Sequence, residues 1–337
     1  TKPAAVERYA GRCPNFQVRR TLPHSPVVRI PLTLSFELRR RPVDLLHVQY
    51  TAPPFAPCPV VTTIHDLAFE HIPETFNRRS WMQMRLTVRR TARAAAHIIT
   101  VSEYSKRDLV ETYRIAPERI TVTPEAAAPH FRPAPAEEVE RVRRRYGIGG
   151  EYVLAVGSIQ PRKNLARLAR AYADLRSRRA QTKLPQLVLV GKRAWLYGET
   201  LRTVERSGLS AGTIFTGYVS EGDLPALYTG ALLFVYPSYF EGFGLPPLEA
   251  MQCGTPVLTG DRTSLPEVVG DAALTVNPFD EAAIAAGLER LLDDSELRAS
   301  LRVKGLERAR LFDWHETARL TLNAYARATG GTENAEV

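Results

Sequence analysis

Along this chain, short runs of β-branched and aliphatic residues alternate with longer stretches in which apolar positions recur every three or four residues. The runs VDLLHV (43–48), PVVTTI (59–64), HIITV (97–101), YVLAVG (152–157), QLVLVG (186–191), TIFTG (213–217), ALLFVY (231–236), TPVLT (255–259) and AALTV (272–276) predict strands. Helical periodicity predicts helices over 164–178, 221–229, 280–292 and 295–310. Most of the strands are almost continuously apolar, the pattern of a parallel sheet covered by helices on both faces. The fold class is therefore α/β. Pro133 and Pro135 lie between a strand-like ITVTP and a charged helix, which places a domain break near residue 131. Residues 132–310 carry a complete six-strand doubly wound unit, whereas positions 1–42 offer no clear opening strand with a Gly-rich turn behind it. A last helical pattern, DWHETARLTLNAYARA from Asp313, has no strand of its own. Within 311–337 it is expected to pack back across both domains, followed by a disordered tail.

A length of 337 residues suits about two domains, and 44% hydrophobic composition is ample for their cores. No charge-free apolar run of about 18 residues occurs, and the N-terminal TKPAAVERYAGRC has no apolar core of a signal peptide. The expectation is a soluble, cytoplasmic protein. Cys13, Cys58 and Cys253 have no metal-type spacing and are odd in number, so neither a zinc site nor a disulfide framework is expected. The formal charge of +9 suggests an anionic partner. Much of it is arginine in RLTVRRTAR (85–93) and RVRRRYG (141–147), for which the simplest reading is a solvated surface. No RNA-recognition signature or zinc-finger spacing points to nucleic acid, whereas an anionic membrane surface stays open.

Candidate chemistry begins with EGFGLPPLEAMQCGTPV, where Glu241 and Glu249 bracket a double proline. On one continuous helix, eight positions would leave them about 80° apart. Pro246 and Pro247 instead predict a helix start, because a first turn needs no N–H donors. Glu241 then lies in the loop and Glu249 in the first turn, both able to face one cavity. In VLAVGSIQPRKNLARLARAY, Arg162 and Lys163 precede a helix that Asn164 is expected to cap. Cations at a positive helix end call for an anion, and a phosphate or diphosphate fits. Gly157 would give a ligand room to approach the backbone. In TTIHDLAFE, His65 and Asp66 stand at the carboxyl end of a strand, the edge where open α/β sheets bind ligands. Packing of His65 and turn-capping by Asp66 are the simpler readings for that pair. Neither G-x-S-x-G nor G-x-G-x-x-G occurs, and GIGG (147–150) reads as a helix C-cap and interdomain turn.

Together VGSIQPRKN, PSYFEGFGLPPLEAMQCGTPV, SLPEVVGDAA, TIHDLAF and ITVSEYSKRDL closely resemble the retaining glycosyltransferases of family 4 over about residues 43–325. The resemblance implies the GT-B fold, two facing Rossmann-like domains with a cleft between them and a C-terminal helix crossing back. It implies that Arg162 and Lys163 hold the diphosphate of a nucleotide-sugar donor, that Glu249 binds the ribose hydroxyls, and that Glu241 lies near the sugar. Gly242, Phe243, Gly244 and Leu245 would add backbone contacts, with Gly157 behind them. His65 would approach the reacting sugar, and Ser102 and Glu103 would begin a helix lining the cleft. The implied activity moves a hexose or deoxyhexose to a glycan or lipid-linked acceptor without a metal, since no Asp-x-Asp motif occurs. The sequence departs from the family at TPEAAAPHF, where Glu125 and alanines replace an Asn-Gly-Val-Asp-like turn, and at the missing first strand and Gly-rich loop. Rival readings are a non-catalytic nucleotide-sugar or partner-binding relative, and a phosphorylase or epimerase on the same fold.

Overall fold

The structure is a computed structural model that describes residues 17–19, 21–23, 25–179, 184–192 and 197–331. Cys13 and the expected tail beyond residue 331 lie outside the described residues. All the predicted strands form, and ITVTP supplies a further one. Several are shorter at one end than the apolar runs that predict them.

The first sheet contains β1 (Leu46–Gln49), β2 (Val60–Thr63), β3 (His97–Thr100) and β4 (Ile120–Val122), all parallel and adjacent in chain order. Among the described residues no strand precedes β1; residues 26–40 are helical. Right-handed crossovers that always step in one direction put every crossover helix on the same face. The helices Arg78–Ala94 and Glu103–Tyr113 accordingly pack on Val60, Ile98 and Ile120. That winding leaves Val61 and Ile99 uncovered on the opposite face. The C-terminal helix Trp314–Thr329 covers them with Ala324, Tyr325 and Ala328, as expected of a helix that crosses back.

The second sheet contains β5 (Tyr152–Val156), β6 (Gln186–Val190), β7 (Thr213–Gly217), β8 (Leu233–Tyr236), β9 (Val257–Gly260) and β10 (Leu274–Val276) in the order β10-β9-β8-β5-β6-β7, all parallel. The chain winds outward from β5 through β6 to β7, then returns to β8 and winds the other way. Helices therefore land on both faces. Leu154, Val188 and Phe234 face one cluster with Leu248 and Met251, while Val153, Leu187 and Val235 face the other with Leu168 and Leu288. Strict alternation along each strand separates the two cores. The reversal point lies between β5 and β8, where a doubly wound sheet opens a crevice beyond its strand ends.

GIGG is not an interdomain turn. It joins the helix Ala136–Arg145 to β5 inside the second unit, with Gly147 at φ +69° closing the helix. The arginines of RVRRRYG fold back onto their own unit: Arg141 and Arg145 bind the two oxygens of Asp223 at 3.1 and 2.9 Å. Among the described residues no helix is long and apolar enough to cross a membrane.

Candidate active site

The loops after β5 and β8 leave the carboxyl edge of the second sheet on either side of its reversal point. The first runs from Gly157 through a 3₁₀ turn, Pro161–Lys163, into the helix Leu165–Arg178. Gly157 has φ +148°, and a Cβ there would sit 3.6 Å from the Lys163 chain, an ordinary contact. Its backbone angle, rather than space for a ligand, is what requires glycine. Asn164 stands at the helix N-cap in the left-handed region, but its side chain does not cap. The amide donates instead to the carbonyls of Pro237 and Pro278 at 3.0 and 2.6 Å, tying this loop to the one after β8. The expected cap fails because φ +62° turns the side chain away from the helix amides.

Arg162 and Lys163 converge on Glu241. Lys163 Nζ donates to Glu241 Oε1 at 2.6 Å and also to the Tyr236 hydroxyl, and Arg162 Nη1 lies 3.4 Å from Glu241 Oε2. Ser238 Oγ and Tyr236 Oη donate to Glu241 Oε1 as well, at 2.6 and 2.9 Å. Burial works against the Glu241 charge, but Lys163, Arg162 and the Ser238 hydroxyl outweigh it and hold the pKa below the usual value. For Lys163 burial wins over Glu241, and its pKa is lowered. The anion that two cations at a helix start require is thus present within the protein. Arg162 also reaches across the cleft, 3.8 Å from Asp66 Oδ2. Burial raises the Asp66 pKa, with Arg162 opposing it. Asp66 Oδ1 accepts from the Ala68 amide at 3.0 Å, so the residue both caps its turn, as the simpler reading holds, and pairs across the cleft.

The loop after β8 is pinned from both units. Ser264 Oγ donates to the carbonyls of Glu241 and Phe243 at 2.9 and 2.7 Å, and Thr263 Oγ1 accepts from the Glu241 amide at 3.1 Å. Phe243 is buried against Phe312. Gly242 passes so close to the first unit that a Cβ would lie 2.3 Å from the His65 carbonyl oxygen. Among the described residues the amides of Gly242, Phe243, Gly244 and Leu245 donate to no protein acceptor. Gly244, at φ +125°, starts the helix Leu245–Gln252 one residue ahead of the double proline. Glu249 consequently lies in the second turn, not the first, beyond the reach of the free amides. Burial raises its pKa to about 7, against a hydrogen bond from Tyr228 Oη at 2.9 Å. Both Glu241 and Glu249 act on the buried Tyr236 phenol, whose pKa is raised chiefly by burial.

From the first unit, His65 is partly exposed with Nδ1 3.4 Å from Glu125 Oε1, the residue in the departing TPEAAAP turn. Its ring tilts against Tyr50. Ser102 and Glu103 do begin a helix at the cleft, with Ser102 as its N-cap. Tyr236, Ser238 and Tyr228 join the candidate site without having been singled out in the sequence, whereas Asp66 was read there as a turn cap at the sheet edge and Glu125 only as a departure from the family. Tyr236 and Ser238 carried one signal, their place at the carboxyl end of a strand next to Glu241. Among the described residues no group of three or more His, Cys, Asp or Glu side chains gathers as a metal site.

A family model described as Glycosyl transferases group 1 matches residues 138–308, and one described as Glycosyltransferase Family 4 matches residues 2–131. The O-antigen chain mannosyltransferase B of Escherichia coli is 37% identical over 266 residues, 79% of this chain and 69% of that protein. The chain belongs to the group 1 glycosyltransferases. Other relatives of this glycosyltransferase are longer. The serotype-specific mannosyltransferase WbdA of Escherichia coli is 34% identical over 68% of the chain, which spans only 28% of WbdA. The solved structure of WaaG, a glycosyltransferase involved in lipopolysaccharide biosynthesis, superposes with a TM-score of 0.73 at 23% identity, covering 95% of this chain and 89% of that one. HepE of Anabaena in complex with UDP-glucose gives 0.74 at 18% identity, covering 93% and 85%. These likenesses establish the two-unit GT-B fold that the sequence resemblance implies.

Proposed function

We propose that this glycosyltransferase moves a hexosyl or deoxyhexosyl unit from a nucleotide-diphosphate sugar to a hydroxyl of a glycan or lipid-linked acceptor, with retention and without a metal ion. Mannosyl transfer is favoured by the names its relatives carry. The observation that carries the reading is the convergence of Arg162, Lys163, Glu241 and the free amides of residues 242–245 at the β5/β8 reversal point. There the diphosphate would meet two fixed cations, so the charge growing on it as the anomeric C–O bond breaks is stabilised without reorganisation. The bonding pair leaves with the diphosphate. The acceptor oxygen bonds to the anomeric carbon on the same face, and its proton passes to the departing phosphate oxygen. Glu241 keeps both cations in place and lies near the sugar, Glu249 accepts from the ribose hydroxyls, and His65 closes the sugar side. Positioning supplies the rest of the rate.

A lipid-linked acceptor at the cytoplasmic face of an anionic membrane belongs to the same proposal. The helix Arg78–Ala94 contains no acidic residue, and beside it a groove of about 1370 Å³ exposes Val27, Phe55, Met82 and Leu86. Flotation with anionic and with neutral vesicles tests this part by itself. Transfer is tested by acceptor-dependent release of nucleoside diphosphate from UDP-, GDP- and dTDP-sugars in the presence of a chelator. Release that needs inorganic phosphate as acceptor would favour a phosphorylase, and a changed nucleotide sugar without release an epimerase.

A further inference from the structure

The helix Glu103–Tyr113 of the first unit starts under two caps. Ser102 Oγ accepts from the Ser105 amide at 3.1 Å, an ordinary N-cap. The second cap comes from the other unit. Glu267, on the helix Leu265–Val269, accepts from the Glu103 amide at 2.8 Å through one carboxylate oxygen and from the Tyr104 amide at 3.1 Å through the other. The first amides of a helix have no intrahelical partner and carry its positive end, so a carboxylate is favourable there.

The same helix start holds the donor-side loop. Ser102 Oγ donates to the Gly242 carbonyl at 2.7 Å, and Ser105 Oγ is shared between the His65 carbonyl at 2.9 Å and that of Gly242 at 3.3 Å. Glu267 is itself anchored, because Arg308 donates to its carbonyl and to that of Val268 at 2.6 and 2.9 Å. One residue of the second unit therefore fixes, through a single helix start, where His65 stands relative to Glu241. A carboxylate one residue to either side on so short a helix would point away from both amides.

We infer that Glu267 is a positioning residue for transfer: by capping Glu103–Tyr113 across the cleft, it sets the separation between His65 and the Arg162–Lys163–Glu241 cluster. The inference rests on the transferase reading above. Glu267 contacts neither the diphosphate nor the sugar in that reading, so its loss should spare donor binding and slow turnover.

The test combines amide hydrogen exchange at residues 103–104, calorimetric binding of the nucleoside diphosphate, and steady-state transfer, on the wild-type protein, Glu267→Ala and Glu267→Asp. In Glu267→Ala, exchange at the Glu103 and Tyr104 amides should accelerate and diphosphate affinity should stay within about twofold. Turnover should fall roughly 5- to 30-fold, the factor that about 1–2 kcal/mol of capping represents. Glu267→Asp should recover part of both exchange protection and rate. Unchanged exchange in Glu267→Ala overturns the inference, and so does faster exchange with unchanged turnover. Loss of diphosphate binding together with turnover also counts against it, because the residue would then be structural. A wild-type protein that transfers nothing removes the transferase reading and this role with it, whereas equal rates in wild type and Glu267→Ala remove this role alone.

Discussion

Glu249→Gln should make the protein more stable and a poorer nucleotide binder at the same time. Glu249 is partly buried in the second turn of its helix with one hydroxyl, from Tyr228, to share its charge. Burial raises its pKa from the ordinary 4.5 to about 7. Between those values the native protein keeps a proton that the unfolded chain has released. Stability from this residue is therefore complete below the unfolded value, falls as pH rises through the interval, and is level above about 7. The gap, at about 1.4 kcal/mol per pH unit, amounts to about 3 kcal/mol of native-state cost at pH 8. Glutamine carries no charge to desolvate and still offers an oxygen to Tyr228. Urea unfolding at several values between pH 5 and 8 should show wild-type stability declining while the variant stays level, so that the variant leads by about 2–3 kcal/mol at pH 8. Calorimetry of nucleoside diphosphate binding near pH 7 should show proton release by the wild type, as Glu249 ionises to accept the ribose hydroxyls. The variant should release none and bind about tenfold or more weakly, the loss of one charged hydrogen-bond acceptor. Parallel stability curves for the two proteins would refute the reasoning, since they would mean that burial does not hold the proton on Glu249.

Three further outcomes are expected. Lys163→Met leaves Glu241 buried with a weaker countercharge and should destabilise by about 3–5 kcal/mol. Adding Glu241→Gln should restore most of that stability in denaturant melts while both proteins stay inactive in transfer; simple additivity of the two changes would contradict the buried pair. Gly242→Ala drives a Cβ to 2.3 Å from the His65 carbonyl. It should weaken nucleotide binding in calorimetry and depress turnover at least tenfold, and a fully active variant would show that the two units need not approach so closely. Ala324→Leu, inserted where Ala324 is fully buried against Val61 and Ile99, should cost about 1–3 kcal/mol by overpacking, measured as a lower urea midpoint.

The strands were legible because continuous apolar runs bounded by proline and glycine leave few alternatives; β5, β6 and β7 follow them to within a residue, and β8, β9 and β10 start two residues late. The cationic loop was legible too, since cations ahead of a helix demand an anion. What the sequence did not disclose was which anion: Glu241 lies 78 positions from Lys163, and nothing local to either residue records the pairing. Asn164 misled for a local reason, because its cap-like identity does not reveal φ +62°. The helix start at Leu245 was missed by one residue, and that single residue moves Glu249 out of the first turn and makes burial, rather than the helix dipole, the control on its proton. Contacts between the units were the least legible of all. Ser102 and Gly242 are 140 residues apart, and Glu267 caps a helix 164 positions before it, so each side shows only an ordinary serine, glycine or glutamate until the fold joins them.

The returning helix Trp314–Thr329 also has a bearing on how the protein is made. Thr317 meets the Pro124 carbonyl 193 residues earlier in the chain, and its helix completes the second face of the first sheet. At a synthesis rate of about 5–20 residues per second, that face waits roughly 10–40 s on the ribosome with Val61 and Ile99 bare. The second unit, whose two helical layers lie between Ala136 and Ala309, draws its core almost entirely from that stretch and can close while the first is still waiting. The unit translated first is thus the one finished last, and any nascent-chain protection it requires must last until the helix Trp314–Thr329 has emerged.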